Sequence, residues 1–336
     1  MDIDAFVSLH SGEWARLETL VRRAGRARRL AGAEVDELVA LYQRTATHLS
    51  VVQTRSPDPV LVARLSRLVA SARSAVVGTR TPAWKQLADF FLVTFPAAVY
   101  RTRRWWVPTA VVSLLVAFAF GLWVNTHPGV QRALLPPSEV RDLVNHQFAD
   151  YYRAHPAHDF ATEVWVNNVW VSAEVLIGGL GLGLLTVYSL MQNVVNVGVI
   201  GGYMSAAGKT GLFFGLIAPH GILELTAVFV ASGAGLRLGW TIIDPGPRRR
   251  ADALAEEGRS TIVIALGLVL VLAISGAIEA FVTPSPLPTW ARVGIGVLAE
   301  AAFLSYVFGL GRQAVRRGVT GDLDESLRGD YAPVAG

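Results

Sequence analysis

The sequence predicts an all-α, polytopic membrane protein with about six transmembrane helices, an N-terminal cytoplasmic helical domain and an interfacial amphipathic helix. Three observations carry this. Of the 336 residues, 52% are hydrophobic and only 17% are charged, against roughly 25% charged in an ordinary soluble domain. The polar and apolar residues are segregated along the chain, with 16 of the 30 Lys/Arg before residue 105 and long apolar runs after it. The remaining arginines cluster in a few short connections. There is no cysteine, which excludes a disulfide framework, a thiolate metal site and a cysteine nucleophile. The basic residues are almost all arginine, with Lys85 and Lys209 the two lysines.

Residues 1–83 read as the cytoplasmic domain. Trp14, Leu17, Leu20 and Val21 form one apolar stripe, and Val35, Leu38, Val39, Leu41 and Tyr42 form a second at helical spacing. Ser56-Pro57-Asp58-Pro59 is a break, followed by a helix carrying Val60, Leu61, Leu65, Leu68 and Val69. Its arginine-rich faces fit a solvated surface near anionic lipid. No recognition motif supports nucleic-acid binding. Residues 84–104 read as an amphipathic helix on the inner leaflet, kinked at Pro96, with Trp105 and Trp106 marking the interface. A cytosolic helix packed on the N-terminal domain is the alternative.

The spans follow in a bundle over 105–310. A helix needs about 20 apolar residues to cross a bilayer. Runs at 105–125, 164–189, 212–236, 261–283 and 289–310 qualify. The run at 191–208 is shorter and spotted by Gln192, Asn193 and Asn196, so it reads as a span or a re-entrant segment. Charge settles the parity. Arg101, Arg103 and Arg104 precede the first span, five arginines occupy the 237–259 loop, and Arg312, Arg316 and Arg317 follow the last span. The positive-inside rule then places both ends and the 237–259 loop, with 25 of the 30 Lys/Arg, in the cytoplasm, and makes 191–208 cross. The first apolar run starts too late for a signal peptide. Residues 311–336 form a cytoplasmic tail. The 126–162 loop outside reads as a polar helix capped by Ser138. It holds His127, His146, His155 and His158 beside Asp150 and Asp159, at spacings that fit no standard metal site.

Ionisable groups inside spans are rare and expensive. Glu174, His220, Glu224, Glu279 and Glu300 fall in the spans, with Asn193 and Asn196 in the polar-spotted run. His220 and Glu224 share one helix face. Pro219 and Gly221 flank the histidine, so a bend or break is expected there. These groups either line a wet cavity that handles protons, ions or a polar ligand, or hydrogen-bond between helices and fix the bundle. His220 and Glu224 alone supply too few ligands for a metal, and no cofactor is implied. HExxH, a serine nucleophile motif and a paired aspartate motif are absent, so no enzyme is expected. Gly178, Gly179, Gly181 and Gly183, then Gly198, Gly201 and Gly202, make small-residue faces for close helix approach within the chain or across a homodimer. No GxxxxGK[ST] phosphate loop is present.

Pro219-His220-Gly221-Ile222-Leu223-Glu224-Leu225 resembles the signature of the stage II sporulation protein M (SpoIIM) family of integral membrane proteins. The run Glu34-Val35-Asp36-Glu37-Leu38-Val39-Ala40-Leu41-Tyr42-Gln43-Arg44, with His48-Leu49 after it, is similar to the cytoplasmic start of the family's non-sporulating branch. Phe95-Pro96, the Asn193/Asn196 segment and Gly276-Ala277-Ile278-Glu279-Ala280-Phe281 agree with it. The resemblance implies a polytopic protein of the cytoplasmic membrane. In spore formers the namesake belongs to a complex with cell-wall-degrading partners that remodels peptidoglycan during engulfment, as a membrane platform rather than a hydrolase. The branch with the N-terminal extension is common in bacteria that form no spores, so no sporulation role is carried over. The expectation is a non-enzymatic scaffold for envelope or cell-wall remodelling partners. The alternative is a channel or transporter for an ion or small polar solute, using the intramembrane His/Glu groups.

Overall fold

The computed structural model describes residues 3–24, 32–55, 58–76, 83–148 and 157–322, and among these every regular element is helical. The chain divides into two compact units, Met1–Gln86 and Leu87–Gly336.

The first unit contains α1 (Ile3–Ala24), α2 (Gly32–Arg55) and α3 (Pro59–Val76). The expected stripes form its core. Trp14, Leu17, Leu20, Leu38, Leu41, Leu61 and Leu65 are buried, while Val35, counted in the second stripe, stays exposed. The expected break is real at its described end: Asp58 Oδ1 accepts the Val60 and Leu61 backbone N–H at 2.8 and 3.1 Å, and Pro59 supplies the first turn. Ser56 and Pro57 lie outside the described residues. Arg16–Glu37 (2.6 Å), Arg23–Glu34 (2.5 Å) and Arg44–Glu13 (3.2 Å) tie α1 to α2 across the surface.

The second unit begins where α4 (Ala83–Asp89) runs into a π turn (Phe90–Thr94), α5 (Phe95–Arg101) and α6 (Arg103–Thr126). Residues 84–104 therefore differ from one amphipathic helix on a leaflet. Phe95 to Val99 are buried, and the Phe95 ring fills the space that a side chain on Gly267 would need. Thr102 makes the corner, its hydroxyl donating to the Ala98 carbonyl at 2.9 Å. Trp106 is no interface marker either. It is buried, and its indole donates to the Val99 carbonyl at 3.1 Å. Trp84, Leu87 and Leu92 stay exposed beside Lys85 and Asp89, so the bundle takes in residues 95–99 and leaves the start of the segment outside.

The bundle continues with α7 (Pro128–Leu134), α8 (Pro137–Asp142), α9 (Ala157–Ile177), α10 (Leu184–Ala206), α11 (Thr210–Ile243), α12 (Arg250–Ala277), α13 (Thr289–Tyr306) and α14 (Arg312–Arg316). Three sequence expectations change here and one open choice is narrowed. The run at 164–189 is not one helix. It ends at Ile177, passes through a 3-10 turn (Gly178–Gly181), and reverses at Leu182 and Gly183, both with positive φ. The polar-spotted run belongs to α10, a full 23-residue helix, so it is not re-entrant. The 237–259 loop shrinks to 244–249, because α11 and α12 extend into it. Pro219 and Gly221 do not interrupt α11. Neighbouring helices pack around a proline in a bundle and hold the freed backbone groups.

Among the described residues five helices are long and apolar enough to cross a membrane: α6, α10, α11, α12 with its π extension, and α13 with α14. The sixth expected span is α9, which is helical but more polar, carrying Glu163, Asn167, Asn168 and Glu174. It packs beside α11, α12 and α10. Direction alternates. Trp106 near the start of α6 meets Gly233 near the end of α11, and Gly202 near the end of α10 meets Val124 near the end of α6. At one end Gly321 reaches Ala98, and the Arg101 guanidinium donates to the Thr320 carbonyl. The segment before the first span and the segment after the last therefore lie together. At that same end Arg237–Glu257 (2.5 Å), Arg248–Glu256 (2.5 Å) and Arg259–Asp322 (2.7 Å) pair the clustered arginines.

At the other end α7 and α8 pack apolar residues onto α10 and α11. Val144, Tyr203, Met204 and Phe213 share one cluster, and Tyr203 donates to the Gln131 carbonyl at 2.8 Å. Ser138 is not the cap expected of it: Pro136 precedes the helix and Pro137 opens it. Outward-facing Leu114, Leu115, Phe118, Leu184, Tyr188 and Leu298 leave a large apolar surface, as lipid contact requires. The bundle centres on α11, 61% buried over its most apolar window, against 11% for α6.

A candidate polar site inside the bundle

His220 lies ten residues into α11, about 15 Å from its start at 1.5 Å per residue, and level with the end of α12, where Thr283 meets it. Glu224 follows one turn later on the same face. Glu279 comes from a different helix. It sits in the π turn (Ile278–Val282) that continues α12, where Thr283 N–H reaches back five residues to the Ile278 carbonyl at 3.0 Å. One extra residue in the turn re-aims the side chains after it, and such turns recur at functional sites.

The three groups meet. His220 Nε2 lies 3.7 Å from Glu279 Oε1, and one donor atom from each of His220, Glu224 and Glu279 lies within 4.8 Å of the others. His220 and Glu279 are 5% and 3% exposed, out of reach of bulk solvent. Around them stand residues absent from the sequence reading. His220 Nδ1 shares a hydrogen bond with Thr283 Oγ1 at 3.2 Å, and Ser275 Oγ donates to the His220 carbonyl at 3.0 Å. Asn168 of α9 lies beside Glu224. Arg292 donates to the Thr283 carbonyl at 2.5 Å and so holds the far end of the turn. The Asn167-Asn168 pair was the available signal: two amides in a span needed the same explanation as Asn193 and Asn196.

The other expected site residues lie apart. Glu300 accepts from Thr226 at 2.9 Å, and Thr226 points about 200° around α11 from Glu224. Glu174 accepts from Ser189 of α10 at 2.5 Å and is exposed on the bundle surface. Asn193 donates to the Ser189 carbonyl of its own helix at 2.9 Å, and Asn196 is exposed. Pro219 and Gly221 contribute packing instead of a break: the carbonyls of Ala218 and Pro219 press on Gly296 of α13. A cavity of about 470 Å³ opens between α6, α10 and α11, but its walls are Leu114, Phe118, Gly121, Phe213, Ile217 and similar residues, without His220, Glu224 or Glu279. Of the four loop histidines, His127 bonds the Trp123 carbonyl at 3.1 Å. The side chains of His146, His155 and His158 lie outside the described residues, as do Asp150 and the Asp159 side chain.

The glycines act within the chain. A side chain on Gly179 would strike Gly235 of α11, one on Gly198 would meet Ala117 of α6, and one on Gly202 would meet Gly121 and Val124. Gly181 faces open space.

A second cluster was not foreseen. His10, Glu13 and His48 of the first unit bring donor atoms within 4.8 Å of one another. The two imidazole rings lie 4.0 Å apart, and Trp14 Nε1 donates to His48 Nδ1 at 3.2 Å. Burial, helped by the facing His10, lowers the His48 pKa below its ordinary 6.5.

A helical bundle with apolar outer faces and a buried His/Glu/Glu cluster defines an integral membrane protein. The chain belongs to the SpoIIM family: the family model, Stage II sporulation protein M, matches residues 110–284. That stretch includes His220, Glu224 and Glu279 and stops short of Glu300. Residues 4–78 match a separate model, Domain of unknown function (DUF8413). An uncharacterised protein of the archaeon Methanocaldococcus jannaschii is 29% identical over 123 residues, covering 36% of this chain and 69% of the relative. No solved structure matches.

Proposed function

We propose that this SpoIIM-family protein is a non-enzymatic membrane platform that assembles envelope or cell-wall remodelling proteins. The bundle is its anchor and the N-terminal helical domain is the part partners engage. One observation carries this reading. Three of the five ionisable groups in the spans bond to a short polar side chain from another part of the bundle: Glu174 to Ser189, His220 to Thr283 and Glu300 to Thr226. Groups spent on cross-bundle bonds fix an arrangement. The family resemblance supplies the partner class, and the clustered arginines supply the orientation, with both ends in the cytoplasm.

The test is recovery of peptidoglycan-remodelling proteins with the tagged chain. Recovery should survive His220→Gln/Glu224→Gln in a folded protein and disappear when residues 1–86 are removed. Equal recovery without residues 1–86 overturns the assignment of the partner surface.

A transport reading has one observation in its favour: the His220, Glu224 and Glu279 side chains converge from two helices inside the bundle, as the ion-site groups of transporters do. Selective loss of ion flux in the same double variant is its signature.

A further inference from the structure

We propose that His220, Glu224 and Glu279 form a binding site for one divalent transition-metal ion, which clamps α11 to the π turn after α12. The inference is independent of the platform reading.

The first argument is charge. Two carboxylates and one neutral imidazole carry a formal charge of −2, so a divalent cation makes the buried cluster neutral. Neutrality matters most where water cannot screen. The second is unmet bonding capacity. Oε2 of Glu224 and Oε2 of Glu279 are buried and have no hydrogen-bond partner among the described residues. Glu279 is itself only 3% exposed. Buried carboxylate oxygens left unpaired are costly. A cation among them satisfies both at once.

The third argument is the histidine's orientation. Thr283 Oγ1 lies 3.5 Å from the Ile278 carbonyl and 3.2 Å from His220 Nδ1. With the hydroxyl donating to Ile278, its oxygen accepts from Nδ1–H, and the Nε2 lone pair is the one turned toward the carboxylates. Metal-binding histidines are oriented in this way, the second ring nitrogen donating outside the ligand sphere. Arg292 on the Thr283 carbonyl adds to that outer support.

The donors fit in number and type. One imidazole with two carboxylates suits zinc, manganese or ferrous iron better than magnesium or calcium. Metal–ligand bonds of about 2.0–2.2 Å place two ligands about 4.4 Å apart at most. The 4.8 Å envelope therefore contracts slightly on binding. The His10/Glu13/His48 cluster is the weaker rival. Trp14 donates to His48 Nδ1, which leaves Nε2 carrying the ring hydrogen and unable to bind a metal.

The test uses the full chain in detergent, stripped with chelator and then offered Zn²⁺, Mn²⁺ or Fe²⁺ in separate arms. Metal content and thermal midpoint are read together. The wild type should take up one equivalent of at least one ion and melt higher with it. His48→Gln and Thr226→Val should do the same. Glu279→Gln should bind about 100-fold more weakly or worse and show no metal-dependent shift in melting. Glu224→Gln is the second variant should Glu279→Gln fail to fold. If no ion is held by the wild type, or if either folded Glu variant binds as the wild type does, the proposal is wrong and the cluster holds protons instead.

Discussion

Gly179 shows how a single missing side chain sets the bundle. A Cβ there would collide with Gly235 of α11, whereas one on Gly181, two residues on, meets nothing. Gly179→Ala should therefore destabilise the bundle by about 1–3 kcal/mol, while Gly181→Ala should leave the thermal midpoint almost unmoved. Equal effects in a detergent melt would show that the turn, and not the close crossing, matters. His48 makes a different prediction. Its folded pKa is lowered, by burial first and by His10 second. The unfolded chain then binds more protons than the folded one below the ordinary 6.5, so the stability of the first unit is complete above that pH and falls as pH drops through it. Amide protection factors in α1 and α2, corrected for the intrinsic rate that itself slows at lower pH, should fall as pH drops from 7 to 5, and His48→Phe should flatten that excess loss. An unchanged excess in the variant assigns the loss to other groups. Sequence spacing paired His220 with Glu224, but nothing in the sequence joined either to Glu279, 55 residues beyond Glu224. That contact depends on helix packing and on a π turn whose extra residue has no periodic signature.

At the scale of elements, α9 is the instructive case. Its polarity keeps it below the five helices apolar enough to span, yet it packs into the bundle as a sixth because its polar groups are used. Glu174 bonds Ser189, and the Trp165 indole donates to the Val269 carbonyl at 3.1 Å. Hydropathy alone fused its end with the start of α10, since the Gly178–Gly183 reversal is itself apolar. The charge parity of the flanking segments still required a crossing there, and α10 supplies it. Residues 95–99 are the part of the 84–104 segment that the bundle takes in. The segment's aromatic and basic ends suggested a leaflet surface, but the Phe95 ring is matched to Gly267 on another helix, a pairing no single segment reveals. Thr226→Val removes the bolt between α11 and α13. It should cost about 0.6 kcal/mol, the usual size of an interhelical bond in a membrane, read as a small fall in the thermal midpoint with unchanged metal uptake. A loss of several kcal/mol would make Glu300 a second organising centre.

For the whole molecule, the alternating directions of the six helices follow from contacts between their ends, and both flanks of the bundle meet at the arginine-rich end. With no native cysteine, sidedness can be read by single replacements. Ser138→Cys should react with an impermeant thiol reagent on intact cells, whereas Arg249→Cys and Arg316→Cys should react only after permeabilisation. The reverse pattern would invert the proposed orientation. The central claim is that the buried polar groups hold this bundle together and do not form a path through it. Proton and ion flux in proteoliposomes, wild type against His220→Gln/Glu224→Gln, tests it most directly. Flux no greater than in protein-free vesicles, under either sign of gradient, is the predicted result for both proteins. Flux through the wild type that vanishes in the folded double variant would contradict the account and make the cluster the centre of a transporter.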